Sequence, residues 1–202
     1  MRDIVLVVED QLSEAVLRKI VEWHAPSLVV ERRVFTTGGF GQIKANIQRY
    51  KNASHLYPHV VLTDLDRHAC PSALLQDWEV GEVPFNMVFR IAVRSVEAWL
   101  LADREGLATF LRVPLSKVCQ SPETVGDCKR ELISLARRAR SRRLAAELCP
   151  EPGSLAKQGP LYNAHLVRFV REMWRVDVAA TGAASLLRAC ARIEELSVRL
   201  AR

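Results

Sequence analysis

Acidic side chains stand where three apolar runs end or turn. Glu9 follows Ile4 to Val8, Asp64 and Asp66 follow His59 to Leu62, and Glu97 follows the run Asn86 to Val93. Short continuous apolar runs predict strands buried on both faces, the pattern of a parallel sheet in an α/β domain. In open α/β sheets the chemistry gathers at the carboxyl ends of the strands, so these acids are expected to share one edge. Asp64 and Asp66 have the same strand parity and, if the strand continues, point to one side. Carboxylates held that close repel one another unless a cation sits between them. Hard oxygen ligands suit Mg²⁺ or Mn²⁺, bound by one or two carboxylates plus water and substrate phosphates. Such an ion polarises a phosphoryl oxygen and generates hydroxide for in-line attack. The expected catalytic set is Glu9, Asp64, Asp66 and Glu97, with Glu9, Asp64 and Asp66 as metal ligands. Whether Glu9 acts as base, acid or ligand stays open at this point. The plain alternative is that one of the aspartates only caps the following helix.

Around this set the chain alternates strand and helix. Asp3 to Val8, Leu28 to Phe35, the run from His59 and Asn86 to Val93 predict strands. Leu12 to Trp23 and Ile43 to Tyr50 carry apolar residues at helical spacing, and either Asp10 or Ser13 caps the first. This order predicts a mostly parallel, Rossmann-like sheet flanked by helices. From Ser95 the period turns helical, broken near Asp103. Pro114 and Ser121 to Thr124 mark a change of character, so residues 1–112 read as the α/β domain and 113–202 as an all-helical subdomain. Helices are expected over Asp127 to Leu148, Tyr162 to Trp174 and Ala183 to Leu200, with a long irregular loop from Pro150 to Pro160. Thr36 to Gly41 is a glycine cluster between strand and helix. It lacks the residues of a P-loop and reads as a plain turn.

The 202 residues suffice for a full core, and 49% hydrophobic content is ordinary for a globular protein. No apolar stretch has the length of a membrane span, and the first strand begins too early for a signal peptide. Five cysteines, without a CxxC pair, fit reduced thiols and a cytoplasmic location and speak against structural zinc. The net charge of +6 is uneven: residues 1–112 hold 13 Lys/Arg against 14 Asp/Glu, and residues 113–202 hold 16 against 9. A basic half beside an acidic site suits a protein that cleaves a polyanion. Arg137, Arg138 and Arg142 in the helical half, Arg90 and Arg94 flanking Glu97, and Lys157 are the candidate contacts to nucleic acid. Tyr162 and Asn163 could reach the acidic edge or serve helix capping and loop packing equally well, His68 reads as a surface imidazole close enough to assist proton transfer, and Trp99 reads as core beneath the site.

Glu9 after the first strand, with Asp64-x-Asp66 after a later one, resembles the Toprim (topoisomerase–primase) domain. The match is nearest to small Toprim-like proteins of prokaryotic defence operons, related to the overcoming-lysogenization-defect nucleases. Arg94 to Glu105 and Gly159 to Asn163 look like that group's signatures. The resemblance implies Mg²⁺- or Mn²⁺-dependent phosphodiester cleavage, nucleic acid as substrate, an ATPase encoded nearby as partner, and an anti-phage role. A homo-oligomer is a further expectation. The loop after Glu9 lacks the glycine common in Toprim proteins, and the chain holds no tyrosine-nucleophile domain or primase zinc module. Hydrolysis remains. Two rival readings use the same residues: a response-regulator-like receiver phosphorylated on Asp64, and a non-catalytic partner subunit of an ATPase. The receiver lacks its Lys-Pro pair, since residues 67–112 contain no lysine.

Overall fold

The computed structural model describes residues 2–35 and 40–201, the side chains of 31–35 and 40 excepted. Thr36 to Gly39, most of the glycine turn, lie outside the described residues. Strands β1 (Arg2–Val8), β2 (Leu28–Phe35), β3 (His59–Asp64) and β4 (Met87–Ala92) form one parallel sheet in the order β2-β1-β3-β4. Parallel neighbours need a crossover, and α1 (Gln11–His24), α2 (Phe40–Ala53) and α3 (Pro71–Asp77) supply them. Asp10 caps α1 by accepting the Ser13 N–H at 2.8 Å.

Strand alternation divides the apolar side chains between two cores. Ile4, Leu6, Val8, Val60, Leu62, Val88 and Ala92 face α1 and the C-terminal helices. Val5, Val7, Val61, Phe89 and Ile91 face Ile43 and Ile47 of α2 and Leu74 of α3. The sheet is thus covered on both faces, the α/β architecture that its continuous apolar runs predict.

After β4 the chain is helical: α4 (Val96–Ala102), α5 (Arg104–Leu111), α6 (Cys128–Ala136), α7 (Arg142–Leu148), α8 (Tyr162–Glu172), α9 (Val176–Gly182) and α10 (Ala184–Ala201). The single helix expected over Asp127 to Leu148 is two, parted at residues 137–141. Ser141 caps the second by accepting the Leu144 N–H at 3.2 Å, and Cys149 Sγ–H reaches the Ile133 carbonyl at 3.5 Å, folding α7 back on α6. The short α9 has no counterpart among the expected helices. In α10, Leu186, Ala189, Cys190, Ile193, Leu196 and Leu200 pack inward, whereas Leu187 faces out at 56% exposure. One apolar core runs unbroken from Ile4 on the sheet to Leu200, with Trp99 at 0% exposure in its middle. Among the described residues no helix is long and apolar enough to cross a membrane.

The hinge of the helical part is Asp103, at 0% exposure. Its carboxylate accepts the Gly106 N–H at 3.1 Å, capping α5, and the Arg175 N–H at 2.9 Å, capping nothing but fastening the start of α9. The Arg175 guanidinium closes on the same carboxylate at 2.5 Å. A Cβ at position 106 would lie 2.4 Å from Asp103 Oδ2, so glycine is required there. Asp103→Ala removes a helix cap and leaves buried N–H groups unanswered, an expected cost of about 3 kcal/mol. In thermal unfolding the variant should melt about 6–12 °C below the parent. An unchanged melting temperature would refute this role for Asp103.

Candidate active site

With β2 on one side of β1 and β3 on the other, the strand order reverses between β1 and β3. The crevice at such a reversal, outside the carboxyl ends, is where open α/β sheets bind ligands. Glu9 leaves β1 and Asp64 ends β3, so these two acids flank the crevice. A cavity of 680 Å³ opens there, lined by Glu9, Asp64, Asp66 and Glu97 together with Arg94, Lys129 and Lys157.

Backbone and hydroxyl donors fix the acids. Glu9 Oε1 accepts the Thr63 hydroxyl at 2.7 Å and the Asp64 N–H at 3.4 Å. Asp64 Oδ1 accepts the Val96 N–H at 3.0 Å, tying the end of β3 to the start of α4. Asp66 does not continue the strand. It has φ of +49°, the left-handed region that Asp tolerates, so the parity expected from sequence ends at Asp64. Its N–H still pairs with the Arg94 carbonyl at 3.0 Å, which holds the turn against the one after β4 and keeps Asp66 on the cavity wall.

Glu97, one residue into α4, is buried. Ser95 Oγ donates to its Oε2 at 2.6 Å, Tyr162 OH donates to Oε1 at 3.4 Å, and Lys129 Nζ stands 3.8 Å away. Tyr162 arrives from α8 through Gly159, where the chain is pressed against residues 147–149. A Cβ at Gly159 would lie 2.5 Å from the Glu147 carbonyl oxygen, so only glycine permits the approach. That gives a physical reason for the Gly159-Pro160-Leu161-Tyr162 stretch.

Charge is poorly balanced at the crevice. Burial pushes the Glu9 carboxyl up, against the opposing pull of its Thr63 and Asp64 hydrogen bonds. Burial pushes Asp64 well up, and the charges of Glu97 and Glu9 push it further. No salt bridge reaches either carboxylate from the described residues. The Cys128 thiol on the same wall is pushed up to about 12, by burial first and Glu97 second, so it is protonated and not a nucleophile. Among the described residues no three His, Cys, Asp or Glu side chains form a group that would hold a metal ion by themselves. The cage of Glu9, Asp64 and Asp66 is therefore not closed. A Mg²⁺-type ion needs only one or two carboxylates, with water and phosphate oxygens completing its shell. The crowded Glu9 and Asp64 carboxylates fit that demand.

The structure gathers six of the expected site residues: Glu9, Asp64, Asp66, Glu97, Arg94 and Lys157. Arg90 is not with them; mid-strand in β4, it lines a separate cavity beside α10. Arg137 lines a neighbouring cavity of 630 Å³ that shares Asp127, Lys129 and Lys157 with the acidic one, so the two form one groove. Arg138 lines another, with Arg112 and Arg140, because the break after α6 turns it away from Arg137. Arg142 is exposed at the start of α7 and lines none of these. His68 lies within 3.2 Å of Asp77 and off the cavity, and Asn163 is likewise absent from the wall. The sequence reading missed Lys129. One cue was present: it is among only six lysines, and it follows Asp127, which caps α6 by accepting the Arg130 N–H at 2.9 Å.

Comparison with protein-family models, with curated proteins and with solved structures returned no match.

The raised Asp64 has a consequence for stability. A carboxyl whose folded pKa exceeds its unfolded value binds more protons folded than unfolded, so it stabilises below that pKa and destabilises above it. Asp64→Asn keeps a carbonyl for the Val96 N–H and removes the charge. The variant should melt above the parent at alkaline pH in chelator, and the gap should narrow as the pH is lowered and Asp64 takes up its proton. A melting temperature below the parent at the higher pH would contradict the crowding of charge at this crevice.

Proposed function

We propose that the chain is a metal-dependent nuclease of the Toprim-like kind, hydrolysing phosphodiester bonds in a nucleic acid. The observation that carries this reading is the convergence of Glu9, Asp64, Asp66 and Glu97 on one cavity at the strand reversal, lined also by Lys129, Lys157 and Arg94. Unbalanced carboxylates attract a divalent ion, and cations beside them attract phosphate. Neither group alone points to phosphoryl chemistry as strongly as the two together in one cavity.

In this reading Glu9 and Asp64, with Asp66 nearby, hold Mg²⁺ or Mn²⁺, which supplies polarisation of the phosphoryl oxygens when bound. Lys129 and Arg94 bear on the non-bridging oxygens, and the groove through Lys157 to Arg137 receives the adjoining phosphates. Water attacks phosphorus in line with the leaving sugar oxygen, which departs taking a proton from solvent. Glu9, whose carboxyl is pushed up by burial, takes the proton of the water. Tyr162 and Ser95 keep Glu97 in place. An ATPase partner and an anti-phage role belong to the same proposal and rest on the resemblance alone.

The receiver reading is less well served. Asp10, half of the acidic pair it needs, is occupied as the cap of α1. The test is cleavage of labelled single- and double-stranded DNA and RNA with Mn²⁺ by the purified protein. Asp64→Asn and Glu9→Gln should each lower the rate about 100-fold or more while the protein stays folded. Full activity in either variant, or a parent protein inert on every substrate but stably phosphorylated on Asp64 by a small phosphodonor, would overturn the proposal.

A further inference from the structure

A second cavity, of 250 Å³, lies along the edge strand β4 beside α10 and takes in residues from both faces of the strand. Its walls differ in chemistry. Val83, Pro84, Met87 and Val88 form an apolar side, while Arg90, Arg192 and Arg199 line the other with Glu195. Arginine in mid-strand, facing a helix that carries more arginine, opposes the ordinary economy of a core. Glu195 does not resolve the conflict, because Arg192 Nη1 already holds it at 2.6 Å. The Nε–H groups of Arg90 and Arg199 are hidden from solvent and meet no acceptor among the described residues. Burial makes the charge of Arg90 harder to keep, and Arg188 and Arg192 nearby make it harder still. Arg199 is oriented by its guanidinium lying 4.9 Å over the ring of Phe85, itself 63% exposed.

We infer that this cavity is a binding site for a phosphate monoester, with Arg90 and Arg199 as its principal ligands and Arg192 in support. Three guanidinium groups against one carboxylate leave two positive charges, the complement of a monoester dianion rather than of a singly charged backbone diester. Planar guanidinium forks match phosphate oxygens in pairs, and the hidden Nε–H donors are the ones such a ligand would answer. The volume is below the roughly 300 Å³ of a drug-sized site, enough for a phosphate with a sugar attached and not for a larger ligand. The exposed Phe85 ring beside the mouth offers a stacking face to a base on that sugar. Two sources carry this chemistry: a free mononucleotide and the 5′-phosphorylated end of a strand.

Binding is measured without divalent ions, so the outcome does not depend on cleavage. The probes are a 5′-mononucleotide, a short single-stranded oligonucleotide with a 5′-phosphate, and the same oligonucleotide with a 5′-hydroxyl, at matched ionic strength. The phosphorylated oligonucleotide should bind about tenfold more tightly than its hydroxyl counterpart. If the mononucleotide competes away that advantage, the source is the free nucleotide; if it does not, the source is the strand end. Arg90→Met and Arg199→Gln should each erase the tenfold difference, and both should melt no lower than the parent in phosphate-free buffer, since each relieves like-charge crowding. Arg171→Gln, at a different cavity, should preserve it. Equal binding of the two oligonucleotides with no binding of the mononucleotide would overturn the inference. So would a difference that survives both arginine variants or disappears with Arg171→Gln.

Discussion

The hydrogen bond from the Val96 N–H to Asp64 is the constraint on which the site depends. It joins the end of β3 to the first turn after β4, two places that the sheet register already sets side by side, with Asp64 opposite Ala92. The Leu65 N–H to the Ala92 carbonyl and the Asp66 N–H to the Arg94 carbonyl extend that register beyond the strands. Backbone pairing can therefore hold acids together that electrostatics would drive apart. Glu9 is treated alike, through Thr63 and the Asp64 N–H. Neutral donors fix both carboxylates without cancelling their charge. Hydrogen bonds favour the ionised form, but here burial and mutual repulsion outweigh them. Local rules of stability are broken where ligands bind, and the cost is borne by a well-packed sheet below.

The helical part completes what the sheet begins. Glu97 enters from α4, whose residues are buried along its whole length. Lys129 comes from α6 and Tyr162 from α8, and their meeting depends on the close approach at Gly159. Asp103 and Arg175 lock the start of α9 against α5 on the far side of α4. The helices are thus an integral wall of the cavity, adding Lys129 to the Arg67 and Arg94 that the sheet's own edge supplies. The same division of charge is visible in the sequence, where the first 112 residues are near neutral and the remainder strongly basic.

The strands were legible because a sheet buried on both faces leaves continuous apolar runs, and all four lie within a residue or two of where the sequence places them. The four acids were legible for the same reason: parallel strands share an edge, so ends far apart in sequence meet. What failed follows from tertiary forces. Arg137 to Ser141 is built mostly of arginine and alanine, good helix formers, and nothing local announces the break. Only Ser141 as a cap and the packing of α7 on α6 create it. Arginines read as lying in one helix consequently serve separate cavities. Asp66 left the expected parity because the strand stops at Asp64. Arg90 escaped because alternation shows which face a residue takes, while the helix lying on that face is unknown until α10 is seen to be there.

At two places in this small protein the described residues hold like charges close together. Glu9 and Glu97 crowd Asp64, and Arg188 and Arg192 crowd Arg90, whose Nε–H, like that of Arg199, meets no acceptor among the described residues. A chain selected for stability alone would pair such groups with each other or replace them with apolar residues, since unpaired buried charge costs several kcal/mol. Elsewhere this chain does pair them: Arg18 with Glu14, Arg143 with Glu147, Arg175 with Asp103. The exceptions lie apart, the acids at the ends of β1 and β3 and the arginines along β4 and α10. Uncompensated charge inside a cavity is a standing demand for a counter-ion, and the two cavities make that demand with opposite sign. A cation at the acids and a phosphate at the arginines would each stabilise the fold on binding.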